Sequence, residues 1–168
     1  MIRPRRSEDV EPCLKLLRAV HVSDGYPFRW PQDPPGWLTG RDGLSAWVSE
    51  SAGEIDGHLS LLGIDETRAR REWREAVPVP VDRLAVISRF FVAPSARGRG
   101  IGSALLRTAE EHAAAHDLRP VLDVADHNHD AIAFYERRGW KRVGTASLLL
   151  DDGHSVLPLL LFVLPEST

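Results

Sequence analysis

Cysteine is nearly missing from this chain: 168 residues hold one, Cys13. A single thiol closes no disulfide within the chain, and no cysteine–histidine spacing resembles a zinc site. A disulfide scaffold is therefore excluded, no metal is expected, and a reducing compartment is the natural setting. Long apolar runs are missing too. The longest, Leu157 to Leu164, is broken by Pro158 and falls far short of the ~18–20 residues that span a bilayer. The opening stretch, Met1 to Asp9, is charged and is not followed by an apolar run of signal-peptide length. No membrane contact is expected, and the chain reads as cytoplasmic.

An excess of positive charge is also absent. Lys+Arg is 21 against 24 Asp+Glu, a formal charge of −3. Bulk attraction to nucleic acid or to an anionic membrane is excluded on that balance. Lysine is scarce, with only Lys15 and Lys141, so nearly all positive charge is arginine and its meaning lies in where each arginine falls. What is present is ordinary globular material, 43% hydrophobic and 27% charged. The length sits within the ~100–200 residues of a single domain. With no internal repeat or low-complexity linker, residues 1–168 read as one domain.

Periodicity predicts the elements. Ile2 to Arg5 reads as a short strand, followed by a helix with Ser7 as its N-cap and Val10, Cys13, Leu14, Leu17 and Val20 on its apolar face. Asp24 to Gly43 is rich in proline and aromatic residues and reads as a long loop with one short helical turn. Strands are expected at Ser45–Ser51, Gly57–Ile64 and Arg83–Val92, with a charged helix at Thr67–Ala76 before the last of these. A strong helix follows over Gly102–Ala115, then a strand at Val121–Ala125, a helix at Asp130–Arg138 with Gly139 at its left-handed end, and strands at Arg142–Leu150 and Ser155–Leu164. The fold class is mixed α/β, with one continuous sheet.

The densest signal is Phe90-Phe91-Val92-Ala93-Pro94-Ser95-Ala96-Arg97-Gly98-Arg99-Gly100-Ile101-Gly102-Ser103. A strand delivers a glycine-rich loop that opens straight into a helix. The first amides of a helix have no partner inside it, and the dipole adds partial positive charge at that end. Gly98, Gly100 and Gly102 let backbone close on an anion, and Arg97 and Arg99 add two cations at the same mouth. A pyrophosphate suits this arrangement. The Gly-Lys-Ser/Thr of a P-loop is missing, and the dinucleotide fingerprint fails at Ser103 in one frame and at Leu105 in the other.

Arg97-Gly98-Arg99-Gly100-Ile101-Gly102 resembles the Arg/Gln-x-x-Gly-x-Gly/Ala signature of the GNAT N-acetyltransferase superfamily. Asn128 to Trp140, with Asn128, Ala133, Tyr135 and Gly139-Trp140, is similar to the same family's second conserved segment. The strong resemblance covers about Leu84 to Gly144. It implies a GNAT-type domain whose mixed sheet of six to seven strands splays between the fourth and fifth, Leu84–Val92 and Val121–Ala125. It also implies acetyl-CoA as acetyl donor, with the pantetheine arm on the backbone of Phe90, Phe91 and Val92 and the pyrophosphate on the amides of Arg97 to Gly102, Ser103 close by. Asn128 matches a position that contacts the cofactor arm, and equally reads as the N-cap of the last helix.

Acetyl transfer needs a polarised thioester carbonyl, a neutral amine and a thiolate that can leave. By the same resemblance the amide of Phe91 or Val92 is the oxyanion donor, and Tyr135 protonates or hydrogen-bonds the departing sulfur. Full proton transfer from a tyrosine of pKa ~10 to a thiol of ~8.5 is uphill by roughly 2 kcal/mol, so hydrogen bonding is the better description. Packing beside Phe134 is the competing role for Tyr135. No carboxylate lies on Leu84–Val92; Glu50, Asp82 and Asp24 are base candidates and none is singled out. Tyr26, Phe28 and Trp30 are the expected acceptor wall, though hydrophobic collapse accounts for them as well. The expected acceptor is a primary amine of a small molecule, peptide or protein. A CoA-binding sensor or interaction module without turnover is the alternative. The apolar final strand offers a face through which two copies could pair as a homodimer.

Overall fold

In the computed structural model, which describes residues 1–40, 43–64, 70–150 and 152–166, seven strands are ordered β1-β2-β3-β4-β5-β7-β6 in one sheet. They are β1 (Ile2–Pro4), β2 (Gly43–Ser51), β3 (Glu54–Gly63), β4 (Leu84–Val92), β5 (Arg119–Ala125), β6 (Lys141–Leu149) and β7 (Val156–Val163). The helices are α1 (Val10–Asp24), α2 (Pro34–Thr39), α3 (Arg71–Ala76), α4 (Ile101–Ala115) and α5 (His129–Arg137). This is the expected mixed α/β order. The one short helical turn expected between Asp24 and Gly43 is α2; Arg41 and Asp42 of that stretch, Thr67 to Ala69 of the expected third helix and Asp151 of the last turn lie outside the described residues.

Close contacts divide the chain into two units, Met1–Gly63 with Ile87–His116, and Ile64–Val86 with Asp117–Thr168. In the first, β1 runs antiparallel to β2 and β2 to β3. The buried stripe of α1, Cys13, Leu14, Leu16, Leu17 and Val20, meets Leu38, Val48 and Phe91. Spacing of three and four residues puts that stripe on one helix face. Helix α4 buries Leu105, Leu106, Ala109 and Ala113 and packs on β2 and β3. Gly57 permits the approach: a Cβ there would lie 2.9 Å from Leu105 Cδ1 and 3.0 Å from Ile101 Cγ2.

In the second unit β4 and β5 pair in parallel through Leu84–Arg119, Ala85–Pro120 and Val86–Val121. Strand β7 is antiparallel to β5 and to β6. Trp73 and Val77 pack with Leu84, Val121, Leu161 and Val163. Gly139 closes α5 at φ +85, as its place in the sequence requires.

Ser7 is not the cap of the first helix. Residues Ser7–Asp9 form a single 3-10 turn, and the carboxylate of Asp9 accepts the Arg6 amide at 2.7 Å. Asp9 can reach back because Arg3 holds it from the other side, with Nη1 and Nη2 donating at 2.7 and 2.9 Å, while Arg3 Nε donates to Glu50 at 2.7 Å. Inside the proline-rich segment, Pro34 and Pro35 fall in the first turn of α2, where an N–H has no acceptor to lose, and Asp33 accepts the Gly36 amide at 3.2 Å.

The hydrogen bonds from Arg3 hold the buried Asp9 carboxyl down at about 2, against an ordinary value near 3.8. A depressed carboxyl stabilises the folded state fully above its unfolded value and loses that contribution as pH falls through about 2. Asp9→Asn is therefore expected to cost about 1–2 kcal/mol at neutral pH and to flatten the acid loss below pH 4. Urea unfolding of both proteins at pH 7 and pH 3 checks this; equal midpoints at pH 7 contradict it.

Candidate active site

The glycine-rich segment folds as a strand, a turn and a helix. After β4, Pro94–Ala96 make one 3-10 turn, Arg97 is extended, and Gly98 and Gly100 both take left-handed backbone at φ +80 and +79. An L side chain is disfavoured at either position, and a Cβ at either would meet nothing within 4 Å. Gly100 is the N-cap of α4, and the Ala104 amide donates to the Gly100 carbonyl at 3.0 Å. The amides of Ile101 and Gly102 precede that first intrahelical bond and stand at the positive end of a 15-residue helix. Gly100 makes no side-chain cap hydrogen bond at this end. The arrangement can hold a polyphosphate without a lysine.

The two arginines of the loop differ. Arg97 Nη2 is paired with the carboxylate of Asp24 and also donates to the Val92 carbonyl at 3.3 Å. Arg97 chiefly, with Ser23, holds the Asp24 carboxyl below its usual range, so Asp24 is a poor proton acceptor. Glu50 is engaged with Arg3, and Asp82 is exposed in the turn that precedes β4. None of the three expected base candidates gains support from this geometry. Arg99 is exposed beside Gly100.

The first unit brings the Phe90–Val92 strand, the loop and part of the aromatic segment together. Phe91 is 4% exposed within the α1 core, and the ring of Tyr26 lies 6.3 Å from it and 6.3 Å from Trp37. Trp30 rests beside His21, ring to ring at 5.5 Å, and under Arg18. Phe28 is exposed. Of the expected acceptor wall, Tyr26 and Trp30 thus contribute to the core, and Phe28 alone presents a largely open ring.

In the second unit, Asn128 Oδ1 accepts the Ala131 amide at 3.2 Å, so it caps α5, one of the two roles its position suggested. Tyr135 is 9% exposed and packs edge-on against Phe134 and Trp140, with Phe162 beside it. Packing accounts for its ring. Asp123 is exposed on β5. Among the described residues no group of three or more His, Cys, Asp or Glu could hold a metal ion, and no helix is long and apolar enough to cross a membrane.

Two residues of this region carry no sequence signal. His58, on β3, is fully buried; its Nδ1 lies 2.7 Å from the Arg89 carbonyl and its Nε2 3.0 Å from Arg5 Nη1. Burial pushes it down to about 4, so the ring is neutral at physiological pH. Arg89 adopts φ +49 immediately before Phe90. A lone histidine among apolar strand residues and a non-glycine residue in left-handed backbone are both products of tertiary contacts.

A mixed sheet with a parallel β4–β5 pair, flanking helices and a glycine turn between β4 and α4 make this an α/β protein with a helix start suited to an anion. Residues 13–140 match the acetyltransferase (GNAT) family model, and the chain belongs to that family. It is 30% identical over 145 residues to an uncharacterized N-acetyltransferase of Methanocaldococcus jannaschii; the match takes in 83% of this chain and 60% of that protein, so the chain spans about three-fifths of its length. It is 29% identical over 152 residues to phosphinothricin N-acetyltransferase of Streptomyces coelicolor, covering 86% and 83% of the two chains. The fold superimposes on Arabidopsis thaliana NAA60 in complex with acetyl-CoA, with a TM-score of 0.73, 21% identity, and 97% and 96% of the chains covered.

Arg99→Ala removes one positive charge from the loop, and Arg97→Ala removes one and also leaves the Asp24 carboxylate unpaired, so each is expected to weaken CoA binding roughly three- to tenfold and to flatten its salt dependence. Titration calorimetry with CoA at two salt concentrations measures both; unchanged affinity and salt slope in either variant would remove that arginine from the anion site.

Proposed function

We propose that the chain is an acetyl-CoA-dependent N-acetyltransferase acting on a primary amine of a small molecule or peptide. The family membership supports the reaction class. The observation that carries the reading is the loop itself: two left-handed glycines delivering the uncapped amides at the start of α4, with an exposed arginine between them. The match over residues 13–140 draws on both units and supports reading 1–168 as one N-acetyltransferase domain.

In this reading the amides from Arg97 to Gly102 bind the pyrophosphate, with Ser103 beside them, and the backbone of Phe90, Phe91 and Val92 binds the pantetheine arm as an added strand would. Acetyl-CoA supplies the acetyl thioester. The amide of Phe91 or Val92 donates to the thioester oxygen as charge develops there, and Tyr135 donates its hydroxyl proton toward the departing sulfur. Asn128 keeps α5 capped and offers its amide nitrogen to the cofactor arm. Tyr26, Phe28 and Trp30 form the acceptor side, with Phe28 the ring most open to a ligand. A protonated amine of pKa ~10.4 must lose a proton before attack; with Asp24 and Glu50 committed to arginines, an acceptor of lower pKa fits this chain best.

The test is thiol release from acetyl-CoA with a panel of primary amines. Phosphinothricin, named for the Streptomyces coelicolor relative, heads the panel beside peptides with free N-termini. Acetylated product with any of them supports the reading. CoA binding with no product from the whole panel supports the sensor alternative, which the commitment of Asp24 and Glu50 to arginines favours.

Gly100→Val should weaken acetyl-CoA binding at least about tenfold, because the side chain both strains the left-handed residue and fills the space the anion needs. Unchanged affinity in calorimetry would refute the assignment. Tyr135→Phe keeps the ring packing and should lower kcat at least about tenfold while leaving acetyl-CoA affinity within about twofold; steady-state kinetics and direct binding separate the two effects.

A further inference from the structure

A chain of buried polar groups crosses the first unit and ends on β4. Arg5 Nη1 meets His58 Nε2 at 3.0 Å, and His58 Nδ1 meets the Arg89 carbonyl at 2.7 Å. A guanidinium has donors only, so Nε2 must accept and the ring proton sits on Nδ1, which donates to the carbonyl. Both nitrogens are thereby used. The ring lies nearly flat on Phe91, with centroids 5.1 Å apart and planes at 17°.

The carbonyl at the end of this chain belongs to a strained residue. Arg89 stands at φ +49, where a non-glycine residue persists only when its surroundings hold it. Its side chain is held as firmly as its carbonyl. Nε donates to the Trp37 carbonyl at 3.0 Å, Nη1 to Ser88 Oγ at 2.8 Å, and the guanidinium carbon sits 4.4 Å over the Trp37 ring. The peptide joining Arg89 to Phe90 is trans, so its N–H points opposite to its C=O. Tying the carbonyl to His58 therefore sets the direction of the Phe90 amide and of the backbone that follows.

We infer that His58 is a positioning residue: through the Arg89 carbonyl it fixes the orientation of the Phe90–Val92 backbone against which the acyl thioester is polarised. This inference rests on the acetyl-transfer reading given above. The ring is no proton acceptor in the reaction, because both its nitrogens already have partners. Nor does packing alone explain it. An apolar residue could stack on Phe91 equally well but would leave the partly buried Arg5 without this acceptor, and the chain of bonds ends on a left-handed residue of β4.

The experiment compares wild type with His58→Phe, which keeps the stack on Phe91 and loses both bonds, and with His58→Gln, which can donate and accept. Three quantities are read: the affinity for CoA, kcat with any amine that supports thiol release, and the infrared stretch of a ¹³C-labelled thioester carbonyl in bound acetyl-CoA. Expected are a shift to lower frequency in wild type, loss of most of that shift and a fall in kcat of roughly tenfold or more in His58→Phe. CoA affinity should stay within about threefold of wild type, and His58→Gln should recover most of the shift and rate. A His58→Phe protein with wild-type shift and kcat overturns the inference. So does one that loses CoA affinity as far as kcat without recovery in His58→Gln. If His58→Phe does not fold, Arg5→Met keeps the ring but removes its outer donor, and a smaller loss of shift and kcat is expected; no loss overturns the inference. A wild type that does not bind acetyl-CoA would sink the acetyl-transfer reading itself, a result distinct from matching variants.

Discussion

The acetyl transfer proposed above depends on the first turn of α4, because backbone amides at a helix start must find acceptors from outside the helix. Here the N-cap is Gly100, which has no side chain to supply one. Two glycines in left-handed backbone bring the chain into the helix, and a Cβ at Gly98 or Gly100 would meet nothing within 4 Å; in the reading proposed above, that open space takes the anion. The helix can only present this end if it is seated firmly. Leu105, Leu106, Ala109 and Ala113 provide the apolar face, and Gly57 spares Ile101 and Leu105 a Cβ that would press on them from β3.

Arginine is distributed by partner. Arg3 joins Asp9 and Glu50, Arg97 joins Asp24, Arg5 meets His58, and Arg89 lies on Trp37. Each pairing holds a backbone segment as well as a charge: the entry to α1, the glycine-rich loop, and the left-handed residue of β4. In a chain with a formal charge of −3, local placement rather than total charge decides where an anion could be held. The pairings of Asp9 with Arg3 and of Asp24 with Arg97 also hold those two carboxyls below their ordinary range, which makes them weak proton acceptors.

Several residues serve the fold and are suited to chemistry at once. Asn128 caps α5 with its side-chain oxygen, which leaves the amide nitrogen of the same group for another purpose. Tyr135 is locked among Phe134, Trp140 and Phe162, a rigidity that a hydrogen-bond donor to a leaving group requires. In the reading proposed above, packing and chemistry would use different atoms of one side chain.

Local signals were sufficient for much of this. The stripe from Val10 to Val20, the proline-rich segment with its one short turn, the glycine loop opening α4 and Gly139 at the end of α5 were all legible, because helix periodicity, donor-free proline and left-handed glycine act within a few residues. Ser7 misled, since a cap depends on which side chain reaches the amide, and Arg3 across the strand brought Asp9 there instead. The aromatic residues Tyr26 and Trp30 could not be divided from Phe28 by type; only packing against Phe91, His21 and Arg18 separates buried from exposed. Sequence by itself determined the element order, the family and the loop, because those rest on neighbours along the chain. Tertiary structure alone decided the buried neutral His58, the left-handed Arg89 and the loss of Asp24 and Glu50 to arginines. Each depends on groups tens of residues apart that meet only once the chain has folded.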